Sequence, residues 1–337
     1  MPADNLYDGA STIQAGYLML EVPVVEKVKL IGGARIETTD IQVDFVSSIE
    51  GPGSASLQAT DALPAAGVIY EFWKDMNLRF SYGKTIARPN YREIANVTSF
   101  EFVGSEIIFG NPNLERSLID NFDVRWEWFF RPGEILSFGV FYKDLKNAIE
   151  QQFQSLAGGN EAVSWSNRDA QLYGLEFEAR KRLDFVDDLF KGFTVGANFA
   201  LIESQVQLSS LDLINKRAFD PNAPDTRPLY DQSPYIINAD ISYDHPSLGT
   251  SVTLLYNIYG ERLAYPALNT SDIYEQPFET LDFTLSQRFG RQKRWKAKFS
   301  AKNLLDPKRQ LIYEDTALVF SEYRRGRTFG MSLGYEF

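Results

Sequence analysis

Residues 328–337 alternate strictly between apolar side chains and small or polar ones. The apolar set is Phe329, Met331, Leu333, Tyr335 and Phe337, and the other set is Thr328, Gly330, Ser332, Gly334 and Glu336. Because successive side chains of a β-strand point to opposite faces, this period of two predicts a strand with one apolar, aromatic face. Soluble proteins usually have loose, solvated termini, whereas a strand of a membrane barrel shows an apolar face to lipid. The pattern therefore favours a lipid-facing strand.

The composition fits a barrel better than a helical membrane protein. The chain has 337 residues, enough for one large β domain or two smaller ones, and 14% of them are aromatic. Its mean hydropathy is -0.26, and it contains no run of about 18 apolar residues that would cross a bilayer as a helix. Strands that alternate lipid-facing and inward-facing residues average to a polar hydropathy, so the low value is expected for a barrel.

Several kinds of function are disfavoured by what the chain lacks. The net charge of -11, without a basic stripe, argues against nucleic acid as a partner. The chain has no cysteine and His245 is its single histidine, so thiol chemistry, histidine triads and multi-histidine metal sites are excluded. Carboxylates that share a strand face, such as Glu176 and Glu178, have no nucleophile beside them. We therefore expect no catalytic residue, no metal site and no cofactor, and we do not expect an enzyme.

Short turns alternate with long polar stretches along the chain. The short turns fall at 23–27, 73–76, 131–134, 184–192, 245–249 and 290–294, and the long loops are predicted at 51–62, 88–115, 205–231 and 265–277. Outer-membrane barrels have short periplasmic turns and long extracellular loops, so this asymmetry predicts such a barrel. Aromatic residues near the short turns suit an interfacial girdle; they are Trp73, Trp126, Trp128, Phe289 and Trp295.

The number of strands indicates that the barrel is incomplete. The alternating segments predict an all-β, antiparallel transmembrane barrel with about 13 strands. An odd number of antiparallel strands places the two ends of the chain on opposite sides of the membrane, whereas an even barrel has both ends in the periplasm. The first residues also lack the basic and apolar regions of a secretory signal. We therefore expect that residues 1–337 are the C-terminal portion of a longer barrel, and that further sequence precedes them.

An ordered set of short motifs resembles the C-terminal barrel of TonB-dependent outer-membrane receptors, most closely those of the Bacteroidetes type. The motifs are LRFSYGKTIARP at 78–89, GNPNL at 110–114, DN at 120–121, SFGVFY at 137–142, NAIE at 147–150, YGLE at 173–176, QSPY at 232–235, NLLD at 303–306 and the stretch 326–337. The similarity covers essentially the whole chain in the order found in the family. It implies roughly strands ten to twenty-two of a 22-stranded barrel, without the plug domain, the TonB box and the first strands.

The resemblance implies a location, partners and a function. In the outer membrane, receptors of this family take up a scarce ligand such as a siderophore, cobalamin or a glycan, with energy relayed through TonB. The expected partners are the lipid bilayer, the TonB complex through the missing plug, a small-molecule or glycan ligand, and the barrel-assembly machinery. Phe329, Tyr335 and Phe337 are the candidate barrel-assembly signal.

Two groups of charged residues are candidate functional residues. Arg88, Arg92 and Glu93, at the entry to a long loop, would face the ligand in a receptor, whereas in the alternative they belong to a solvated loop. A second group is predicted to point into the lumen and hydrogen-bond the plug; it consists of Asp123, Arg125, Glu127, Glu176, Glu178, Arg180, Asp240, Asp282, Arg288, Lys296 and Lys298.

Two other classes of protein stay open from the sequence. One is an outer-membrane porin or barrel enzyme, which would need an even number of strands and a signal peptide. The other is a soluble β-rich binding protein. The sequence does not specify a ligand, since no long loop carries a motif tied to one substrate.

Overall fold

A computed structural model describes residues 5–48, 51–100, 106–156, 161–219, 221–245 and 247–336. Phe337, one of the three residues predicted for barrel assembly, lies outside the described residues. The strands are β1 (Leu6–Val25), β2 (Val28–Ser47), β3 (Gly51–Trp73), β4 (Met76–Ala87), β5 (Thr98–Ser99), β6 (Ile107–Phe109), β7 (Ser117–Trp128), β8 (Ile135–Ser155), β9 (Glu161–Arg182), β10 (Phe193–Gln207), β11 (Thr226–Arg227), β12 (Tyr235–His245), β13 (Thr250–Tyr259), β14 (Arg262–Tyr265), β15 (Ile273–Glu275), β16 (Phe278–Phe289), β17 (Trp295–Lys302), β18 (Lys308–Tyr313), β19 (Val319–Arg324) and β20 (Thr328–Tyr335). The α-helices are α1 (Tyr91–Ile94) and α2 (Ser210–Phe219).

Thirteen of these strands form one continuous antiparallel path, which we call the wall. Its order is β1-β2-β3-β4-β7-β8-β9-β10-β12-β13-β16-β17-β20. Within the described residues, β1 and β20 are the two edges of this path. The all-β antiparallel fold class and the predicted number of strands are thereby confirmed. No helix among the described residues is long and apolar enough to cross a membrane.

The strand register gathers apolar side chains on one side of the wall, which we call the outer face. A single row of paired residues runs from β20 to β10 through Met331, Phe299, Leu285, Val252, Tyr243 and Phe193. The neighbouring row on the other side, the inner face, contains Ser332, Lys298, Ser286 and Ser251. The alternation predicted for the last strand is therefore continued by its neighbours, as a lipid-facing surface requires.

The six predicted short turns, which join β1 to β2, β3 to β4, β7 to β8, β9 to β10, β12 to β13 and β16 to β17, lie at one end of the wall. Trp73, Trp128, Phe289 and Trp295 stand at the strand termini there, as predicted, and Trp126 lies two residues farther into β7. The first turn is shorter than predicted, because β1 continues through Pro23 and only Glu26 and Lys27 form the turn. Pro23 lies beside a register irregularity of β1, which has one neighbour among the described residues; proline is found at such edge positions and bulges of sheets.

The predicted loop at 51–62 is wrong. These residues belong to β3, which pairs with β2 in unbroken register from Ser47 opposite Gly51 to Val28 opposite Tyr70. The turn-forming residues at 51–54 suggested a loop. Pro52 is tolerated in β3 because this part of the strand pairs with β2, whereas the pairing with β4 reaches only to Ala65. The inner face of this hairpin buries Ala55 and Leu57, so alternation decides its structure.

The other long connections contain structure of their own. Residues 88–115 hold α1, β5 and β6, and residues 205–231 hold the end of β10, α2 and β11. The predicted loop at 265–277 is corrected, because it includes β15 of a second sheet with the order β14-β15-β18-β19. The strands of this second sheet each adjoin a wall strand in sequence, namely β13, β16, β17 and β20.

Most of the buried apolar residues lie at the end of the molecule opposite the short turns, in the far ends of wall strands and in the connections between them. We call this region the long-loop layer; it comprises the described residues within 37–62, 88–116, 146–169, 203–233, 261–277 and 303–327. One cluster contains Ile41, Val43, Phe45, Ala55, Leu57, Ile94, Ala95, Val97 and Leu114. A second contains Ile108, Phe153, Val163, Ala264, Ala267, Ile273 and Leu311. The long-loop layer is therefore a packed structure rather than a set of free loops.

Candidate functional site

The inner face of the wall carries an ion-pair network on β4, β7, β8 and β9. Arg79 Nε lies 2.5 Å from Glu127 Oε2, and Arg125 Nη2 lies 2.6 Å from Glu178 Oε2. Arg125 also donates to Ser137 Oγ at 2.9 Å. Its side chain passes over β8 beside Ser137 and Gly139, and a Cβ at Gly139 would lie at van der Waals distance, 3.9 Å, from Arg125 Cγ.

The structure thus brings together part of the predicted lumen group. Arg125, Glu127, Glu176 and Glu178 share this network, with Arg125 Nη1 4.0 Å from Glu176. Asp123 lines a shallow pocket with Arg79 and Arg125. The two arginines pair with the three glutamates, and contact with a plug stays a prediction.

The remaining lumen candidates are spread over other strands. Arg288 pairs with Glu336 at 2.7 Å, Asp282 accepts from the Asn303 N–H at 2.8 Å, and Asp240 packs against Gly196. Arg180 stands opposite Gly196 in the β9–β10 register, while Lys296 and Lys298 alternate with apolar residues along β17. They do not form one site with Arg125.

The predicted ligand residues all have partners within the chain. Arg88 donates to Thr39 Oγ1 at 2.8 Å and pairs with Glu37 on β2. Glu93 forms a capping box with Asn90 at α1, in which the Glu93 N–H donates to Asn90 Oδ1 at 3.0 Å. Burial raises the pKa of Glu93. Arg92 Nε donates to Ser99 Oγ at 3.2 Å. These contacts order the loop, and its binding of a ligand stays a prediction.

A buried ion pair in the β8–β9 hairpin was not predicted from the sequence. Glu150 is fully buried and forms a bidentate pair with Arg227 of β11. Next to it, Arg168 Nη2 lies 3.0 Å from Asp212, which also caps the start of α2 through Ser209. These contacts tie the 205–231 connection to the hairpin.

A β-bulge sets the direction of Glu150. The β8–β9 register shifts between Leu145 and Ala148, and Asn147 adopts φ 55°. The Asn147 side chain donates to Glu115 Oε2 at 2.7 Å, and its carbonyl accepts from Ser117 Oγ at 2.8 Å. Asn tolerates the left-handed conformation, so the NAIE motif at 147–150 has a structural reason.

A second buried carboxylate joins the wall to the second sheet. Glu275 Oε2 accepts from Arg262 at 2.8 Å and from Arg309 at 2.8 Å, while Glu275 Oε1 accepts from the Tyr259 hydroxyl at 2.7 Å. Burial alone would raise the pKa of Glu275, but the bonds from Arg309, Tyr259 and Arg262 outweigh it and lower the pKa to about 2. No sequence signal pointed to this cluster, because its members lie in four different strands.

Helix α2 spans two parts of the long-loop layer. Asp212 anchors one part of it to Arg168, and Lys216 Nζ lies 2.5 Å from Asp272 in the β14–β15 connection. Its Leu211 and Ile214 side chains remain exposed. The helix therefore presents an exposed apolar surface.

A thirteen-strand antiparallel wall, apolar on its outer face and charged on its inner face, defines the class of transmembrane β-barrel proteins. The chain belongs to the family described as TonB dependent receptor-like, beta-barrel, whose model matches residues 2–304. The resemblance to TonB-dependent receptors is therefore confirmed, whereas the Bacteroidetes type stays a prediction. No curated protein sequence matches the chain.

Solved structures support the same fold. The ferric citrate transporter FecA in its unliganded form is 16% identical, with a TM-score of 0.66 over 97% of this chain and 45% of that one. The ferric yersiniabactin uptake receptor FyuA from Yersinia pestis is 14% identical, with a TM-score of 0.63 over 98% and 47%. The copper transporter OprC is 16% identical, with a TM-score of 0.68 over 98% and 48%. The chain thus spans about half the length of these proteins.

Proposed function

We propose that this chain is the C-terminal barrel portion of an outer-membrane receptor that takes up a scarce ligand in a TonB-dependent manner. The observation that carries the proposal is the division of the chain into a wall with an apolar outer face and a packed long-loop layer at one end. The wall suits a bilayer, and the layer suits ligand capture outside the cell.

In this proposal the protein moves its ligand without making or breaking covalent bonds. The ligand is bound by the long-loop layer, with Arg88, Arg92, Glu93 and α2 as candidate contacts. The charged inner face, centred on Arg125, contacts a plug domain supplied by sequence outside residues 1–337. TonB acts on that plug, and Phe329, Tyr335 and Phe337 engage the barrel-assembly machinery.

The ligand classes are those of the family and its structural neighbours. Ferric siderophores and copper are named for the solved structures of similar fold, and cobalamin and glycans are further candidates from the family resemblance. The experiment compares the uptake of each of these ligands in cells that carry or lack the gene for this protein, with TonB present or deleted. Loss of one uptake activity that also needs TonB supports the proposal. Uptake that is unchanged for every class contradicts it.

The sidedness can be tested separately, because the chain has no cysteine. Leu211→Cys places a thiol on the exposed side of α2, and Lys74→Cys places one in the short turn between β3 and β4. A membrane-impermeant maleimide should label position 211 in intact cells, and position 74 only after the outer membrane is permeabilised. The opposite order of labelling would contradict the assigned orientation.

A further inference from the structure

The connection between β9 and β10 differs from the other short turns of the wall. Residues 183–192 contain two 3-10 helices, Leu183–Phe185 and Asp188–Phe190. Three apolar side chains of this connection are exposed: Phe185 to 65%, Val186 to 58% and Leu189 to 78%. The turn between β3 and β4, by contrast, consists of the polar residues Lys74 and Asp75.

Both ends of this connection lie against the outer face of the wall. Lys181, on the outer face of β9, places its Nζ 4.3 Å from the ring centroid of Phe130 and 5.7 Å from that of Phe185. The ring of Phe130 lies 4.1 Å from that of Trp128 at the end of β7. At the other end, Phe190 lies 6.3 Å from Phe193, which heads the outward row on β10. The exposed apolar residues are therefore continuous with the lipid-facing aromatic girdle.

The three carboxylates of the connection all have partners, two of them cations and one a backbone N–H. Asp184 pairs with Arg131 at 2.6 Å, Asp188 pairs with Lys191 at 2.7 Å, and Asp187 accepts from the Leu189 N–H at 2.9 Å. Lys181 Nζ lies 2.8 Å from the fully buried Glu134. Because these polar groups are hydrogen-bonded or paired, the segment can enter the hydrated headgroup region of the membrane interface at low cost.

We propose that residues 183–190 form a membrane wedge, in which Phe185, Val186 and Leu189 insert into the lipid at the short-turn end of the wall. Interfacial segments bury their apolar side chains about 5–10 Å into the boundary between headgroups and acyl chains. The wedge fixes the height of the wall in the bilayer at β9 and β10, where a two-residue polar turn offers no such anchor. The inference rests on the membrane placement proposed above.

The test uses single cysteines, each labelled with the environment-sensitive dye NBD, in the full-length receptor. The protein is reconstituted into vesicles of phosphatidylethanolamine and phosphatidylglycerol, with or without phosphatidylcholine that carries a nitroxide near the headgroup. Leu189→Cys reports on the wedge, Lys74→Cys is the matched short-turn control, and Met331→Cys reports on the outer face, where Met331 is 87% exposed.

At positions 189 and 331 we expect NBD emission that is blue-shifted and is quenched by the nitroxide lipid. At position 74 we expect water-like emission that the nitroxide lipid does not quench. Water-like emission at 189 together with quenching at 331 overturns the wedge and leaves the membrane placement intact. A blue shift at 189 without quenching identifies a protein partner in place of lipid and also overturns the wedge. Absence of quenching at 331 overturns the membrane placement itself.

A second measurement separates insertion from local folding. The combined substitutions Phe185→Ser, Val186→Ser and Leu189→Ser keep the ion pairs of Asp184 and Asp188, since they change only exposed side chains. Nitroxide quenching of NBD at Phe177→Cys, on the outer face of β9 opposite Phe138, should fall in this variant, because the wall loses its anchor there. Unchanged quenching at position 177 overturns the anchoring role.

Discussion

Two phenylalanines of β8 illustrate how the two halves of the molecule differ. Phe138 lies on the outer face of the wall, where 44% of the residue stays exposed. Phe153, farther along the same strand, is almost fully buried in the long-loop layer, with the rings of Phe320 and Tyr265 at 5.6 and 5.9 Å. The wall needs lipid to cover its apolar residues, whereas the long-loop layer covers its own.

The comparison shows where each half gets its stability. Backbone ladders and the bilayer hold the wall, so its side chains are free to be small or polar on the inner face. The long-loop layer has several short strands, and it relies on clusters of buried apolar residues and on the buried ion pairs of Glu150 and Glu275. Changes to single buried side chains should therefore act strongly in the layer and weakly in the wall.

The largest effect is expected from Phe153→Ala. Removing this ring leaves a cavity between the β8–β9 hairpin and the second sheet and should cost about 4 kcal/mol of local stability. Phe138→Ala is the matched control in the same strand, because lipid fills the space that the ring vacates. Hydrogen exchange of the long-loop layer measures the effect. Equal protection in both variants would show that Phe153 does not hold the layer together.

The next effect concerns the ion cluster at Glu275. Glu275→Gln removes the charge that Arg262 and Arg309 share and should destabilise the second sheet by about 3 kcal/mol, near the lower end for buried pairs because both guanidiniums are partly exposed. Glu322→Gln is the control, since its pair with Lys308 lies at the surface of the same sheet. Loss of the Glu322–Lys308 ion pair should change the free energy of unfolding by less than about 1 kcal/mol. A loss in Glu322→Gln as large as that in Glu275→Gln would show that burial does not matter here.

The sequence predicted the wall well and the long-loop layer poorly, for a physical reason. In the wall, one face is apolar, so every second residue of a strand is apolar, as at Phe329, Met331 and Leu333. This local alternation predicts both the strand and the face that each side chain occupies. In the layer, Glu150 meets Arg227 across 77 residues of sequence, and Glu275 meets Arg309 across 34. A local periodicity of the sequence cannot predict such pairs. They can be recognised only once the three-dimensional contacts between distant residues are known.

The loop predicted at 51–62 failed for a different reason. Gly51, Pro52 and Gly53 have the composition of a turn, but they start a long strand whose partner β2 is already in place. The sequence does contain the signal of a strand here, because the buried residues Ala55 and Leu57 alternate with polar residues. The turn-forming residues therefore mark the start of β3 next to the turn of the β2–β3 hairpin, and not a long loop.

The wall itself can be tested by a charge placed on one face or the other. Leu254 lies on the outer face between Ile241 and Phe283, and Thr253 lies on the inner face between Ser242 and Thr284. Leu254→Arg should destabilise the folded protein by about 2 kcal/mol, the lower end for a charge facing mid-bilayer lipid. Thr253→Arg should cost much less, because the inner face is polar. Unfolding by urea in lipid vesicles compares the two variants, and equal losses would contradict the assignment of the faces.

The smallest effect is a dependence on pH in the second sheet. The pKa of Glu275 falls from 4.5 to about 2 on folding, so the stabilisation from its ionised form is complete above pH 4.5 and is lost as the pH falls toward 2. Between pH 4.5 and 3.5 the loss should approach about 1 kcal/mol. Hydrogen exchange of Ile273 and Leu311 should therefore accelerate over this range in the native protein. In Glu275→Gln, which has no proton to gain at this position, the acceleration should be absent. An identical pH profile in both proteins would mean that other carboxyl groups of the long-loop layer, rather than Glu275, control its acid stability.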